Sequence, residues 1–302
     1  MGWKSKLLLD TLKAFLPFQG TLRRLKRRLF PHQKEPENNG LAFEQGLKML
    51  GMLRRAGVNL HEQTVLELGS GWQPVIPILF YLAGCRKIIL TDLEYLTDET
   101  LVRMAARFVA SRTAQIAAEI RLTEGEVQQR LDFLGSGTLE DILERLNMEY
   151  RVPFESRSVA SSSIDIIISR TVLEHIKPRT IASILRDFRR VLRPEGYMCH
   201  VIDMSDHFEH RDKLISRVNF LKFGELVWAL TGLNPQNYQN RLRHFEFIEM
   251  FQSAGFEIID NIAEPDADAL ESLKEIKICK RYSRVPHEQL AILTSLLLVR
   301  NP

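Results

Sequence analysis

Short apolar runs alternate along this chain with longer stretches in which apolar residues recur at helical spacing. Thr64–Leu68 and Lys87–Thr91 are rich in β-branched residues, and each ends at a turn, so both are predicted strands. Ile164–Ser169 is apolar on both faces, which indicates a strand buried inside a sheet. Tyr197–Asp203 is the next predicted strand, after a helix that stops at Pro194–Gly196. Strands alternating with helices predict a doubly wound α/β fold, in which helices cover both faces of a mainly parallel sheet.

The remaining segments supply helices, a link and two further strands. Phe256–Ile262 and Ile292–Arg300 are predicted strands joined by a long link and not by a compact crossover helix. Residues 100–147 are helical in composition and form a predicted insertion. Residues 204–241 are polar, aromatic and irregular, and we expect them to form a lid over one edge of the sheet.

The first 34 residues form an arm with a composition of its own. They carry nine lysines or arginines and one acid, Asp10, whereas the rest of the chain is net acidic within a total charge of +3. Leu8 and Leu12 recur at helical spacing among the basic residues. The stretch up to Gly40 holds prolines and asparagines typical of a linker. We therefore divide the chain into an arm with its linker at 1–40 and a folded domain at 41–302.

Composition narrows the class of protein. A chain of 302 residues, 45% hydrophobic and 26% charged, can bury a full α/β core. The three cysteines are far apart and form no CxxC pair, so neither a cysteine zinc site nor a disulfide framework is expected. No stretch approaches the roughly 20 apolar residues of a spanning helix, and the N-terminus lacks the apolar core of a signal peptide. We expect a cytoplasmic protein whose arm is a candidate contact to a membrane surface.

A glycine motif, Glu67–Gly71, joins the first predicted strand to the following helix. Gly69 and Gly71 flank Ser70 and let the backbone turn tightly and approach a ligand. Asp92 stands directly after the second predicted strand. In a doubly wound sheet the carboxyl ends of these strands flank the ligand crevice, where an acid accepts hydrogen bonds from ribose hydroxyls. The motif therefore predicts a nucleoside-binding site.

The spacing of the glycines limits which nucleoside ligands are possible. A dinucleotide fingerprint, G-x-G-x-x-G, would need a third glycine where this chain has Pro74, and no P-loop lysine is present. A ribose acceptor without the full phosphate-binding set of glycines indicates a nucleoside that lacks a pyrophosphate. S-adenosylmethionine is such a ligand.

Four motifs in order carry a resemblance to a known family. VLELGSGWQPVIP, IILTDLE, SIDIIISRTVLEHI and RVLRPEGYMCHVID resemble the successive motifs of class I S-adenosylmethionine-dependent methyltransferases across residues 60–203. The last two predicted strands resemble that family's antiparallel hairpin. The resemblance implies a seven-stranded, mainly parallel, Rossmann-like sheet with a C-terminal antiparallel strand pair, and S-adenosylmethionine as the cofactor.

The resemblance also implies which residues hold the cofactor. They are Glu67, Gly69, Ser70 and Gly71 on the methionine side, Asp92 at the ribose, Leu93 near the adenine, and Ser169, Arg170 and Glu174 from the fourth strand and its turn. His175 stands where the family commonly has a histidine, either as a catalytic residue or as one that packs the turn. The chain departs from the pattern at 152–159, which has no clear acid for the adenine amine, and at the bulky Trp72–Pro74.

Candidate catalytic residues follow the strand at 197–203. Methylation of a hydroxyl benefits from a general base, usually His, Asp or Glu. His207 and His210 would lie at the carboxyl edge of the sheet, and either is a candidate base; alternatively, they belong to a hydrated loop in which such side chains cap turns. Together with Asp203 and Asp206 they could also bind a divalent ion. No familiar ligand spacing is present, so we expect no metal.

The residues of the lid, and the absence of the motifs of nucleic-acid base methylases, indicate which kind of molecule accepts the methyl group. Aromatic and basic residues in 204–241 suit a small amphipathic or sugar-like acceptor, unless they pack a core of their own. The turn Ser169–Val172 lacks the Asn/Asp-Pro-Pro-aromatic sequence of amino-group methylases of nucleic-acid bases, and no cysteine fits a base C5 methylase. The leading hypothesis is O-methylation of a small molecule or glycan precursor.

Two other classes of function stay open. One is a non-catalytic protein with a cofactor fold that binds a partner or a membrane through its arm. The other is an RNA methyltransferase, although no recognisable RNA module accompanies the arm. For the arm itself, a solvated face, a membrane surface and nucleic acid are the alternatives. The oligomeric state is not predicted by the sequence.

Overall fold

Seven strands form one sheet in the order β3-β2-β1-β4-β5-β7-β6. The computed structural model describes residues 36–302 apart from 121, 133–136, 211 and 235–237, with the backbone alone at 36–38, so the predicted arm lies outside the described residues. The first five strands in this order are parallel, and β7 is antiparallel to both of its neighbours. This confirms the doubly wound fold with its C-terminal antiparallel pair. The strands are β1 (Thr64–Leu68), β2 (Lys87–Thr91), β3 (Met148–Arg151), β4 (Ile164–Arg170), β5 (Leu192–Asp203), β6 (Glu257–Ile262) and β7 (Thr294–Arg300).

Helices cover both faces of the sheet. None of the described helices is long and apolar enough to cross a membrane. The α-helices of the described residues are α1 (Pro36–Arg55), α2 (Val75–Leu82), α3 (Glu99–Ala110), α4 (Thr113–Ile120), α5 (Glu124–Leu131), α6 (Leu139–Arg145), α7 (Pro178–Val191), α8 (Glu225–Ala229), α9 (His244–Ser253), α10 (Ala267–Glu275) and α11 (His287–Leu290). Short 3₁₀ helices span Ser156–Ser158, Leu173–His175, Asn219–Lys222 and Leu230–Leu233.

The strands are apolar on both sides because a core lies on each face of the sheet. Ile166 and Ile168 of β4 pack in the same core as Phe43 of α1. Ile167, between them, faces the opposite core with Phe188 of α7. Successive side chains of a strand point to opposite faces, so a strand between two helical layers needs apolar residues at every position.

The register brings three strand ends to one edge. Leu68 of β1 is level with Thr91 of β2 on one side and with Ser169 of β4 on the other. Ser169 is in turn paired with His200 of β5. The chain therefore leaves β1, β2 and β4 at the same height, and the turns that follow these strands meet above the carboxyl edge.

A third core joins the lid to the link before β7. Phe208, Phe220 and Trp228 of the lid pack with Leu273 and Tyr282 of the link. The three lid rings are at most 7% exposed. They stabilise the lid from within, in agreement with the alternative that these rings pack a core of their own.

The starts of two elements differ from the sequence prediction, and one strand was not predicted. Helix α1 begins at Pro36, inside the predicted linker, because proline is favoured in the first turn of a helix. Strand β3 was not predicted; it is a four-residue edge strand of sequence MEYR, too short and polar to show a pattern. Strand β5 begins at Leu192, which pairs with Ile164 before the register shifts.

Candidate functional site

The loop after β1 depends on two glycines with left-handed backbones. Gly69 has a φ of +72° and Gly71 a φ of +64°, a region that residues with a Cβ rarely adopt. A Cβ on Gly69 would lie 2.6 Å from Cγ2 of Val172, so the β1 loop and the β4 turn approach too closely for a side chain. A Cβ on Gly71 would meet no atom of the described residues within 4 Å. The backbone of Gly71 therefore borders open space that a ligand can enter.

Hydrogen bonds join this loop to the end of β2. The backbone N–H of Ser70 donates to the Thr91 carbonyl at 2.8 Å, and the Thr91 N–H donates to the Ser70 hydroxyl at 3.0 Å. The Asp92 carboxylate accepts the Gly71 N–H at 3.0 Å and the Leu93 N–H at 2.7 Å. Each carboxylate oxygen has a second lone pair, so Asp92 can still accept ribose hydroxyls. Leu93 is 80% exposed and accessible to a purine.

Glu67 and Arg170 lie at the neighbouring ends of β1 and β4 and attract each other electrostatically. Glu67 is 5% exposed, and its Oε2 has no hydrogen-bond partner among the described residues. Burial raises the pKa of Glu67 from 4.5 to about 7. Arg170 donates through Nε to Gln45 of α1 at 2.6 Å. Burial lowers the pKa of Arg170, and the carboxylates of Glu174, Glu67 and Asp203 oppose that shift.

Ser169 lies beside these residues but points elsewhere. Its side chain is buried, and its hydroxyl is 2.7 Å from Nδ1 of His200. The His200 ring packs against Phe251 on the opposite face of the sheet from Glu67. The Ser169 hydroxyl is thus committed to a contact within the fold, and its contact to the cofactor stays a prediction.

The group formed by Glu67, Gly71 and Asp92 fits S-adenosylmethionine. A buried carboxylate oxygen without a partner suits the ammonium group of the methionine part. The open space at Gly71 leaves room for the ligand beside the backbone, and Asp92 has acceptor capacity for the ribose. The individual contacts remain predictions that binding experiments can test.

A second group, the histidine cluster, consists of Glu174, His175, Asp203, His207 and His210. Glu174 and His175 lie in the 3₁₀ turn after β4, and Asp203 ends β5. One ligand atom each from Glu174, His175 and His207 lie within 4.8 Å of one another. The ring centroids of His175 and His207 are 4.9 Å apart, and those of His207 and His210 are 5.2 Å apart. The structure thus brings together the three predicted catalytic histidines.

Charges within the cluster are set by burial and by neighbouring groups. Glu174 is 1% exposed, and burial raises its pKa well above the usual range. Burial alone would raise the pKa of Asp203, but the adjacent His207 and the donors of Ser205 lower it below its usual range. His207 Nε2 lies 3.4 Å from Asp203 Oδ2. Partial desolvation of the rings lowers the pKa of His175 and, with His207 nearby, that of His210, although both residues reach solvent.

Asp206 does not join the cluster. It is fully buried, and it accepts hydrogen bonds from the Phe208 N–H at 2.9 Å and from the Asn219 side chain at 3.2 Å. Burial raises the pKa of Asp206 to about 6. Asp206 orders the start of the lid, as the turn-capping alternative predicts.

Two residues that position the site show no recognisable pattern in the sequence. Gln45 of α1 holds Arg170, although it stands in an ordinary amphipathic helix. Asn240 of the lid donates through its side chain to the carbonyls of Leu173 and Ile176, at 2.8 and 2.9 Å. The lid is thereby fastened to the turn that carries Glu174, a long-range contact that no local pattern reveals.

Comparison with known proteins agrees with this geometry. A family model described as a methyltransferase domain matches residues 17–261, and the chain therefore belongs to that family. It is a class I methyltransferase whose cofactor is S-adenosylmethionine. No curated protein sequence matches the chain.

Several solved structures are similar to this chain at low sequence identity. One is a protein assigned as a sarcosine dimethylglycine methyltransferase from Galdieria sulphuraria, at 13% identity over 92% of this chain and 97% of that one, with a TM-score of 0.51. Another is assigned as a methyltransferase from Bacillus halodurans, at 14% identity over 84% of this chain and 98% of that one, with a TM-score of 0.45. A third is an S-adenosylmethionine-dependent methyltransferase from Mesorhizobium loti, at 13% identity over 84% and 95%, with a TM-score of 0.44.

Proposed function

We propose that this methyltransferase methylates a hydroxyl group of a small molecule or glycan precursor. The observation that carries the proposal is the histidine cluster at the carboxyl edge of the sheet, where Arg170 interacts electrostatically both with Glu174 and Asp203 of the cluster and with Glu67 of the cofactor group. A hydroxyl is a weak nucleophile that needs a neighbouring base, and imidazoles are the commonest such groups.

The cofactor group holds and orients the donor. We assign Asp92 to the ribose hydroxyls, Glu67 to the ammonium group, and the backbone at Gly71 to close approach of the ligand. When bound, S-adenosylmethionine supplies a methyl group on a positively charged sulfonium sulfur. The side chains around it contribute orientation and exclusion of water.

The stacked pair of His207 and His210 takes the proton of the acceptor hydroxyl. The two rings are nearly parallel, with an interplanar angle of 19°. Asp203 Oδ2, at 3.4 Å from His207 Nε2, stabilises the positive charge that arrives with the proton. His210 is exposed and can pass the proton to solvent. His175, whose Nδ1 donates to the Tyr238 carbonyl at 2.9 Å, closes the other side of His207.

A transfer assay with matched acceptors tests the proposal. The assay supplies tritium-labelled S-adenosylmethionine and pairs of glycosides or phenols in which one hydroxyl is replaced by an amine. Label is expected in the hydroxyl member of a pair. Since general-base catalysis contributes about 100-fold or more, His207→Ala and His210→Ala should each lower kcat by about that factor and leave the Kd for the cofactor unchanged.

His61→Ala is the matched control, because His61 is an exposed histidine remote from the cluster, beside Glu62. It should leave kcat unchanged. Label found only in the amine members would contradict O-methylation. Unchanged kcat in both cluster variants would remove these histidines from the reaction.

A further inference from the structure

The histidine cluster has the chemistry of a metal site. One carboxylate oxygen of Glu174 and one ring nitrogen each of His175 and His207 lie within 4.8 Å of one another. Ligand atoms around a tetrahedral zinc ion are about 3.4 Å apart, given bond lengths of about 2.0 to 2.2 Å. Small side-chain rotations would therefore bring these three atoms onto one ion.

The carboxylate of Glu174 lacks the partners that its burial requires. Glu174 is 1% exposed, and neither of its oxygens has a hydrogen-bond partner among the described residues. The backbone amides of Glu174 and Asp203 lie close enough to the carboxyl group to oppose the rise in its pKa, but they complete no hydrogen bond with it. A buried carboxyl group without partners is costly, and a cation held against it would remove that cost.

His175 is oriented as a metal ligand commonly is. Its Nδ1 donates to the Tyr238 carbonyl at 2.9 Å, which leaves Nε2 as the acceptor nitrogen. Metal-binding histidines almost always donate their other N–H to a carbonyl or carboxylate, which fixes the tautomer and the ring orientation. His207 has a carboxylate nearby instead, since Asp203 Oδ2 lies 3.4 Å from its Nε2, although no hydrogen bond joins them among the described residues.

We propose that Glu174, His175 and His207 bind a divalent transition-metal ion with the preferences of Zn²⁺, beside the site of the acceptor. Two imidazoles and one carboxylate suit such an ion, and three protein ligands leave a coordination position open for the acceptor oxygen. The expectation of no metal rested on the absence of a familiar ligand spacing in the sequence. The cluster has no such spacing because it combines two adjacent residues after β4 with a histidine from the segment after β5.

The role of the ion rests on the proposed hydroxyl acceptor. A hydroxyl bound to a divalent ion loses its proton more readily than a free one. Since His207 would bind the ion, His210 is the free imidazole of the stacked pair and accepts that proton. The open edge of the cluster suits this role, because His175 and His210 are exposed while Glu174 is buried.

Titration with CoCl₂ tests the site, since Co²⁺ reports its coordination by visible d–d absorption. The full chain is titrated in the presence of S-adenosylhomocysteine, and ZnCl₂ is then added in competition. A band that saturates at one equivalent and disappears with ZnCl₂ is expected. Loss of an outer-sphere partner costs about 10- to 100-fold in metal affinity, so the loss of a direct ligand should cost at least about 100-fold.

Glu174→Gln keeps the shape of the side chain and should weaken Co²⁺ binding by at least about 100-fold, as should His175→Ala. Asp203→Asn, a neighbour of one ligand, should weaken it by about 10- to 100-fold. His61→Ala removes an exposed histidine beside Glu62 and should change nothing. Thermal unfolding of each metal-free variant confirms that it is folded.

Two outcomes overturn the metal site. One is the absence of a d–d band from folded wild-type protein at about 1 mM CoCl₂, a concentration far above the dissociation constants of known zinc sites. The other is equal Co²⁺ affinity in wild type, Glu174→Gln and His175→Ala. The titration needs no acceptor, so it stands or falls independently of the hydroxyl assignment. Conversely, hydroxyl methylation that survives EDTA at full rate would support the proposed function and remove the ion from the reaction.

Discussion

Gly69 and Gly71 share a backbone conformation but differ in their surroundings. Both have positive φ values, and Gly69 alone lies against a neighbouring side chain, that of Val172. A left-handed conformation costs a residue with a Cβ about 1 to 2 kcal/mol. The two glycines therefore separate the contribution of backbone conformation from that of close packing.

Gly69→Ala should destabilise the protein by more than Gly71→Ala, for which we expect about 1 kcal/mol. Val172→Ala should recover part of the loss in Gly69→Ala, with a coupling of about 1 kcal/mol. Urea unfolding of the two single variants, Val172→Ala and the double variant measures this coupling. Additive losses in the double variant would mean that the Val172 contact does not exclude a side chain at Gly69.

Glu67 makes stability depend on pH in an unusual direction. Burial raises its pKa from 4.5 to about 7, so the folded state holds a proton that the unfolded state has released. Stability therefore falls as pH rises from 4.5 to about 7 and is level above that. Relative to wild type, Glu67→Gln should gain up to about 3 kcal/mol across this window.

Urea unfolding at several pH values measures this gain without added cofactor. Glu44→Gln, on the exposed side of α1, is the control and should track wild type at every pH. A constant difference between Glu67→Gln and wild type would show that Glu67 has an ordinary pKa in the folded protein.

The position of the lid depends on one buried cation at the start of α9. Arg243 is fully buried, and its guanidinium donates to the carbonyls of Met204, Leu290 and Ile292 at 2.5, 2.7 and 2.6 Å. Met204 directly follows β5 and lies between Asp203 and His207 of the histidine cluster. Arg243 thus joins the lid, the link and the end of the sheet.

Arg243→Leu should destabilise the protein by about 3 kcal/mol or more, because three buried carbonyls lose their donors. Arg281 is the comparison, since it is partly exposed and pairs with Glu225 and Glu246. Arg281→Leu should cost under about 1 kcal/mol. Similar unfolding midpoints for the two variants would show that Arg243 does not hold these elements together.

The sheet could be predicted where a strand is buried on both faces. The observed strands Thr64–Leu68 and Lys87–Thr91 match the predicted ones, since a short, mainly apolar run is compatible with few structures other than a strand buried on both faces. Strand β3 was missed because an edge strand needs fewer apolar residues, and Met148–Arg151 has only one buried position. The start of β5 was missed because Pro194 and Gly196 signal a turn, whereas the structure accommodates them in a register shift.

The two halves of the site differ in how far the sequence predicts them. Local turn chemistry determines the turns after β1 and β2, so the sequence could predict that Gly69, Gly71 and Asp92 lie together. The histidine cluster depends on how the lid returns to the β4 turn, through Asn240 and the Tyr238 carbonyl. Such contacts arise from tertiary packing and leave no local pattern.

At the scale of the whole molecule, charge is divided between the arm and the folded body. We propose that the basic arm attaches the enzyme to anionic membrane surfaces, since leucines accompany its lysines and arginines. The full chain should sediment with vesicles that contain phosphatidylserine, but not with pure phosphatidylcholine. Replacing Arg23, Arg24, Arg27 and Arg28 by Gln should release it, because each basic residue contributes about 1 kcal/mol.

Addition of salt should also release the wild-type protein, since the attraction is electrostatic. Cofactor binding by the variant with four Gln residues serves as the control for a folded body. Vesicle binding that survives both the substitutions and high salt would contradict attachment through the charges of the arm.

The central claim is that the ends of β1 and β2 hold S-adenosylmethionine through Asp92. Calorimetric titration of S-adenosylmethionine and S-adenosylhomocysteine into wild type, Asp92→Ala and Glu94→Ala tests it most directly. Glu94→Ala removes an exposed carboxylate two residues away and should bind as wild type does. Asp92→Ala should bind both ligands about 100-fold more weakly, since two hydrogen bonds to a charged group are lost. Equal affinity in Asp92→Ala and wild type would contradict the assignment of the cofactor site.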